Sequence, residues 1–135
     1  IVESLVRSGN IVIAVGGGGI PVCRDENNNI HGVEAVIDKD LASSLLARTI
    51  NADEFYILTD VPKVCINFNT PEEQTIDKMT VAEAKKHFED GQFAPGSMGP
   101  KVRAAIEYVE ATGKEAIITS IDTLGKENSG TKIVL

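Results

Sequence analysis

Short apolar, β-branched runs alternate along this chain with stretches whose apolar residues recur every three or four positions, and that alternation restricts the fold more than any other feature. Residues 11–15 (IVIAV), 33–37 (VEAVI), 55–59 (FYILT) and 115–119 (EAIIT) read as strands. A short β segment follows at 64–68 (VCINF), and 132–135 (KIVL) fits a last, edge strand. A run as continuously apolar as 11–15 suits a strand covered on both faces of a parallel sheet. From Asp38, the residues Leu41, Ala42, Leu45, Leu46 and Ile50 recur at helical spacing, which predicts a helix packed on the sheet. Thr80 with Glu83 three residues on forms a capping-box pattern that opens a helix running to about Asp90, where Gly91 stops it. Residues 97–112 predict a further helix with Val102, Ala105, Ile106 and Val109 on one face and Gly113 as its terminator. Residues 1–9 read as the tail of an amphipathic helix, and the asparagine-rich stretch 24–32 as an exposed loop or hairpin tip. Strands alternating with helices predict an α/β fold, a three-layer αβα sandwich with a largely parallel sheet and right-handed crossovers.

The 135 residues, 42% of them apolar, suffice for one domain with a sizeable core. A net charge of −7 argues against a nucleic-acid footprint or an anionic membrane surface, so any phosphate pocket must be local. Cys23 and Cys65 are too few and too far apart for a disulfide scaffold or a CxxC metal motif, and read as free thiols of a reducing, cytoplasmic protein. No apolar run approaches the roughly 20 residues of a membrane span. His31 and His87 lack companions at metal-ligand spacing and are expected on a loop and a helix surface. The chain opens at Ile1 inside what reads as a helix, as expected for part of a longer protein.

Two segments place a lysine at the start of a helix, Asp38-Lys39-Asp40 and the GSMGPK of residues 96–101. The first turn of a helix carries partial positive charge and free N–H donors, so a cation there is unfavourable unless an anion sits beside it. Asp38-Lys39-Asp40 is compatible with an N-cap inside a solvated charge cluster. It is equally compatible with Lys39 on transferred phosphate oxygens and one aspartate, Asp40 in preference, holding lysine side chains in place. Gly96, Gly99 and Pro100 suit either a well-capped helix with an exposed lysine or a phosphate-binding helix start with Lys101 as second cation. Gly16, Gly17, Gly18 and Gly19 follow the run 11–15 and form either a flexible turn or a bare backbone that an anion approaches closely. They match neither GxGxxG nor a Walker A motif. Ligands gather at the C-terminal ends of strands in such sheets, where this glycine run and the Thr59-Asp60 turn both fall.

GGGGIPV at 16–22, VIDKDLAS at 36–43, LTDV at 58–61 and GSMGPKV at 96–102, in this order and spacing, closely resemble the C-terminal half of carbamate kinase, within the amino-acid-kinase superfamily. The resemblance covers nearly the whole chain. It implies that Lys39 and Lys101 contact phosphate, that Asp40 organises them, and that Gly16, Gly17, Gly18 and Gly19 line the reaction centre. It places Asp38, Thr59, Asp60, Val61 and Met98 near the nucleotide. It further implies reversible phosphoryl transfer between ATP and carbamate, with ATP/ADP and Mg2+, in fermentative arginine breakdown, by a cytoplasmic homodimer. Residues 1–135 would be the nucleotide-binding part of the family's domain, and the N-terminal half with the acceptor pocket is absent, so the segment alone is not expected to turn over. A non-catalytic nucleotide-binding regulatory module, and another amino-acid kinase such as acetylglutamate kinase, are the alternative functions.

Overall fold

The computed structural model describes all residues, 1–135. In chain order the elements are α1 (Val2–Arg7), β1 (Val22–Arg24), β2 (Ile30–Gly32), α2 (Lys39–Thr49), β3 (Phe55–Thr59), β4 (Val64–Ile66), β5 (Gln74–Ile76), β6 (Lys78–Thr80), α3 (Val81–Glu89), α4 (Met98–Thr112), β7 (Ala116–Ser120) and β8 (Thr131–Val134). The central sheet has the order β3-β7-β8-β6, and β1-β2 and β4-β5 are separate antiparallel hairpins. β3 with β7 and β8 with β6 pair in parallel, while β7 and β8 pair antiparallel, so the sheet is mostly parallel as expected.

The helices form a row over this sheet, α2 beside β3, α4 across β3, β7 and β8, and α3 beside β6 and β8. Val102, Ala105, Ile106 and Val109 of α4 are buried against the strands, the face that their spacing predicts. Phe55 and Ile57 of β3, Ala116 and Ile118 of β7, Ile133 of β8 and Met79 of β6 meet them from the sheet. Tyr108 adds a contact that periodicity alone did not single out: its ring lies 5.0 Å from that of Phe55, and its buried hydroxyl donates to Ala52 O at 2.7 Å.

Four expectations are corrected. Residues 11–15 are not a strand: they have no ladder partner, Ile11 and Ile13 are 99% and 97% exposed, and Val15 turns left-handed at φ +62°. An apolar, extended run becomes a strand only where a neighbouring backbone takes its N–H and C=O groups, and within this chain no strand does so. Residues 33–37 fail for the same reason, the return of the hairpin ending at Gly32. β8 is not an edge strand but lies between β7 and β6, with Thr131 and Ile133 fully buried. The helix α2 packs mainly on α4, through Ser44 and Ala47, and leaves Leu45 57% exposed. The three-residue strands β5 and β6 are too short to show a period of two, so the sequence pattern did not reveal them.

Thr80 ends β6 and caps α3 in one position. Its Oγ1 accepts the Glu83 N–H, and Glu83 Oε2 accepts the Thr80 N–H at 2.8 Å. The Thr80 N–H and, at 2.9 Å, the Thr80 hydroxyl both donate to Glu83 Oε2 and hold the Glu83 carboxyl below its ordinary 4.5. A depressed carboxyl pKa stabilises the fold above the unfolded value and loses that contribution as pH falls through the folded one. Glu83→Gln is therefore expected to lower the melting temperature at about pH 7, with the difference from the parent protein shrinking as pH falls through the carboxylate range. Thermal melts by circular dichroism across that range check this, and a difference independent of pH would contradict it.

Candidate active site

The starts of α2 and α4 lie side by side because these two helices approach closely through small residues. Ser44 and Ala47 are the buried residues of α2, Ala104 of α4 is buried as well, and Ser44 Oγ donates to Ala104 O at 2.7 Å. Farther along, Arg48 Nη2 donates to Glu107 Oε2 at 3.1 Å. The first turns are thereby held within reach of one another.

Asp38 is the N-cap of α2, its Oδ1 accepting the Leu41 N–H at 3.0 Å. Asp40 reaches across to α4, where Lys101 Nζ donates to Asp40 Oδ2 at 3.0 Å, the two side chains 20% and 25% exposed. The first turn of α4 contains no acidic residue of its own, so the anion that offsets Lys101 comes from the neighbouring helix. Lys39 is exposed, and its Nζ donates to Ile37 O at 3.0 Å. Asp40 therefore holds Lys101 and does not touch Lys39. Successive residues on a helix diverge by about 100°, and side chains lean toward the helix N-terminus, which carries Lys39 back over Ile37 while Asp40 faces α4.

The glycine loop closes on the same corner. Gly18 adopts φ +80°, and a Cβ there would stand 2.9 Å from Ile37 O, the carbonyl that Lys39 also occupies. Gly16, Gly17 and Gly19 have open space around their Cα atoms. Gly16, Gly17, Gly18, Gly19, Asp38 and Lys39 thus share one corner, with Asp40 and Lys101 immediately beside it across the α2–α4 contact.

A cleft of about 430 Å3 opens at the C-terminal end of β3. Its lining comes from three segments: Thr59, Asp60 and Val61 at the end of β3, Lys63, Cys65 and Phe68 in and around β4, and Gly91, Gln92, Ala94, Ser97 and Met98 of the α3–α4 connection and the start of α4. Its volume and mixed lining suit a small-molecule site. Of the residues predicted from sequence it gathers Thr59, Asp60, Val61 and Met98, whereas the glycine run, Asp38, Lys39, Asp40 and Lys101 lie outside its lining. The first turn of α4 links the two regions, because Met98 and Lys101 are three residues apart and so share a helix face. Lys63, Cys65, Phe68 and Gln92 were missed because each sits alone in a turn or a very short strand, where no repeat marks them. A lysine, a cysteine or an aromatic in such a place carries no signal until the chain folds back.

Burial pushes the Cys65 thiol above its ordinary range, and the Glu73 charge adds to this. Cys23 is exposed on β1. Iodoacetamide at about pH 8 is therefore expected to alkylate Cys23 first and Cys65 more slowly, with the lag shrinking as pH rises and the Cys65 thiolate forms. Peptide mass spectrometry over time reads the order, and equal rates at both cysteines would contradict the assigned environment.

The fold and this arrangement define a class, an α/β chain that sets two lysine-bearing helix starts and a glycine loop beside a cleft at strand ends. The sequence profile of the amino acid kinase family matches residues 1–120, and the chain belongs to that family. It is 53% identical over 123 residues to a carbamate kinase of Giardia intestinalis, covering 91% of this chain and 38% of that protein. A carbamate kinase of Trichomonas vaginalis is 52% identical over 137 residues, covering 98% of this chain and 44% of that protein. The solved structure of carbamate kinase from Giardia lamblia bound to AMP-PNP superimposes with a TM-score of 0.89 at 50% identity, over 98% of this chain and 47% of that one. The chain thus spans less than half the length of these relatives.

Proposed function

We propose that the protein carrying this chain is a carbamate kinase, which transfers a phosphoryl group reversibly between ATP and carbamate, and that residues 1–135 supply its nucleotide site. The observation that carries the reading is the Lys101–Asp40 pair, a half-buried cation oriented by a carboxylate from a second helix, one helical turn beyond Met98 of the cleft lining. Identity near 50% to carbamate kinases supports the choice of carbamate among the family's acceptors. The AMP-PNP held by the Giardia lamblia enzyme supports a nucleoside triphosphate as the occupant of the cleft.

Phosphoryl transfer asks the protein for positioned positive charge more than for a covalent nucleophile. In this reading Lys101 is the fixed charge. Asp40 sets its direction, and partial burial strengthens its pull on phosphate oxygens. Lys39 is the mobile charge, exchanging the Ile37 carbonyl for the transferred group. The bare backbone of Gly16, Gly17 and Gly19 admits that group closely. Asp38 steadies the start of α2 as its cap. Thr59, Asp60, Val61 and Met98 contact the nucleoside end. No group of three or more His, Cys, Asp or Glu side chains is placed to hold a metal, and Asp40 is engaged by Lys101. The residues present therefore do not form a metal cage, and Mg2+ would arrive on the phosphates of the nucleotide.

The acceptor pocket and a strand partner for residues 11–15 would come from further sequence of the same protein, and a homodimer is part of the proposal. No helix is long and apolar enough to cross a membrane, in keeping with the proposed cytoplasmic setting in arginine breakdown.

A coupled assay of ATP formation from carbamoyl phosphate and ADP on the intact protein tests the reading. Robust turnover is expected, and phosphorylation of acetylglutamate in its place would overturn it. Lys101→Ala is expected to reduce kcat by about 10^2–10^3, the cost of removing one preorganised charge stabiliser, with a smaller change in nucleotide binding. Near-normal kcat in that variant would remove Lys101 from its role.

A further inference from the structure

We propose that Gln92 is a positioning residue for the nucleotide, fixing the separation of the two cleft walls between which the base is held. The inference rests on the nucleotide reading of the cleft and adds to it a residue that never needs to touch the reacting atoms. Gln92 Oε1 accepts the Asn67 N–H at 2.7 Å across 25 residues of sequence. A backbone N–H can only donate, so the orientation of the Gln92 carboxamide is settled by its partner.

Each end of this bond belongs to a stiff unit. Asn67 follows β4 at φ +53°, and the turn of residues 67–73 is bonded to itself. Asn67 O accepts both the N–H and the hydroxyl of Thr70, Asn67 Nδ2 donates to Glu72 O at 3.3 Å, and Glu73 Oε2 accepts the Asn69 N–H at 2.9 Å. The Gln92 bond ties that turn to another element. On the far side, Gln92 stands between Gly91, left-handed at φ +71°, and Phe93, which is buried in the core. The chain then runs through Ala94 directly into Ser97 and Met98.

Phe68 lies one residue beyond Asn67 and is 60% exposed on the cleft wall. An aromatic ring left that open on a rigid turn offers a face on which a purine stacks. Met98, Ala94 and Val61 add apolar surface to the lining of the same cleft. Lys101, one helical turn past Met98, marks the phosphate end, which places the base between Phe68 and the α3–α4 connection. Without the Gln92 bond the turn bearing Phe68 would still be folded, but its distance from that connection would no longer be set.

The test is ADP titration by calorimetry together with steady-state kinetics on the intact protein. Gln92→Met keeps the length and apolar stem of the side chain but has no carbonyl oxygen to accept the Asn67 N–H. It is expected to raise the Kd for ADP and the nucleotide KM about five- to tenfold, the loss of one such hydrogen bond, with kcat moving far less. Gln92→Glu retains an oxygen acceptor and is expected to bind ADP within about twofold of the parent protein. A Met variant that binds ADP like the parent overturns the inference. So does failure of the Glu variant to restore binding, since that pattern would assign the work to the Gln92 N–H2 on the base itself. A parent protein that binds no ADP removes the nucleotide reading first, a result distinct from either.

Discussion

The pairing of Lys101 with Asp40, on which the reading of this molecule turns, depends on the close approach of α2 and α4. Two helices come this near only where side chains are small, and Ser44, Ala47 and Ala104 meet that condition. The buried Ser44 hydroxyl gains a partner in the Ala104 carbonyl and so avoids the cost of an unpaired polar group. A larger residue at any of these positions would force the axes apart, and with them the two lysine-bearing first turns. The Lys101–Asp40 bond is a consequence of that packing more than its cause, since a partly exposed ion pair contributes little to stability on its own.

The electrostatic logic that draws attention to the two lysines is resolved in different ways at each. Lys101 sits where the helix dipole opposes it, and Asp40 offsets that locally, leaving a cation that is held in one direction and partly shielded from water. Lys39 has no carboxylate and rests on a carbonyl at the surface. In the proposed phosphoryl transfer, a fixed charge and a movable one would suit a group that must be received, stabilised and released. Two equally rigid cations would hold a phosphate in all its states with similar strength, which aids binding without lowering a barrier.

The helices and the core strands β3 and β7 were legible because each is long enough to display a period or a cap: Thr80 with Glu83, Gly113 left-handed after α4, and the stripe from Val102 to Val109 are local signals of local structure. What the sequence concealed depends on contacts made at a distance. An apolar run at 11–15 has the composition of a buried strand, yet composition does not supply a neighbour, and without one the run stays extended and exposed. β8 looked like an edge because it comes last, whereas sheet order is set by crossovers and places it inside. At the site, motif residues such as Thr59, Asp60 and Met98 were visible as turn and helix-start chemistry, while Phe68 and Gln92 acquire meaning only through the fold that brings residues 67 and 92 together.

The glycines show the same division between local allowance and spatial need. In the motifs 16–19 and 96–101 their number suggested flexibility or anion binding, but the structure separates two, Gly18 and Gly99, that are needed for close approach from Gly16, Gly17 and Gly19. A Cβ at Gly18 would strike Ile37 O at 2.9 Å, and one at Gly99 would stand 3.0 Å from Ala94 O, the carbonyl that accepts the Gly99 N–H. Gly18 packs on Ile37, the residue before the Asp38 cap of α2, and Gly99 lies in the first turn of α4, so each sits beside the start of a lysine-bearing helix. Gly16, Gly17 and Gly19 meet nothing, so their bare backbone is open to a ligand. Replacing either of the first pair would press a side chain onto the backbone beside a helix start, and a side chain at Gly19, at φ +141°, would strain the loop itself, whereas a change at Gly16 or Gly17 would act on whatever enters the corner. The glycine-rich motifs therefore combine two physical roles that their sequence alone does not separate.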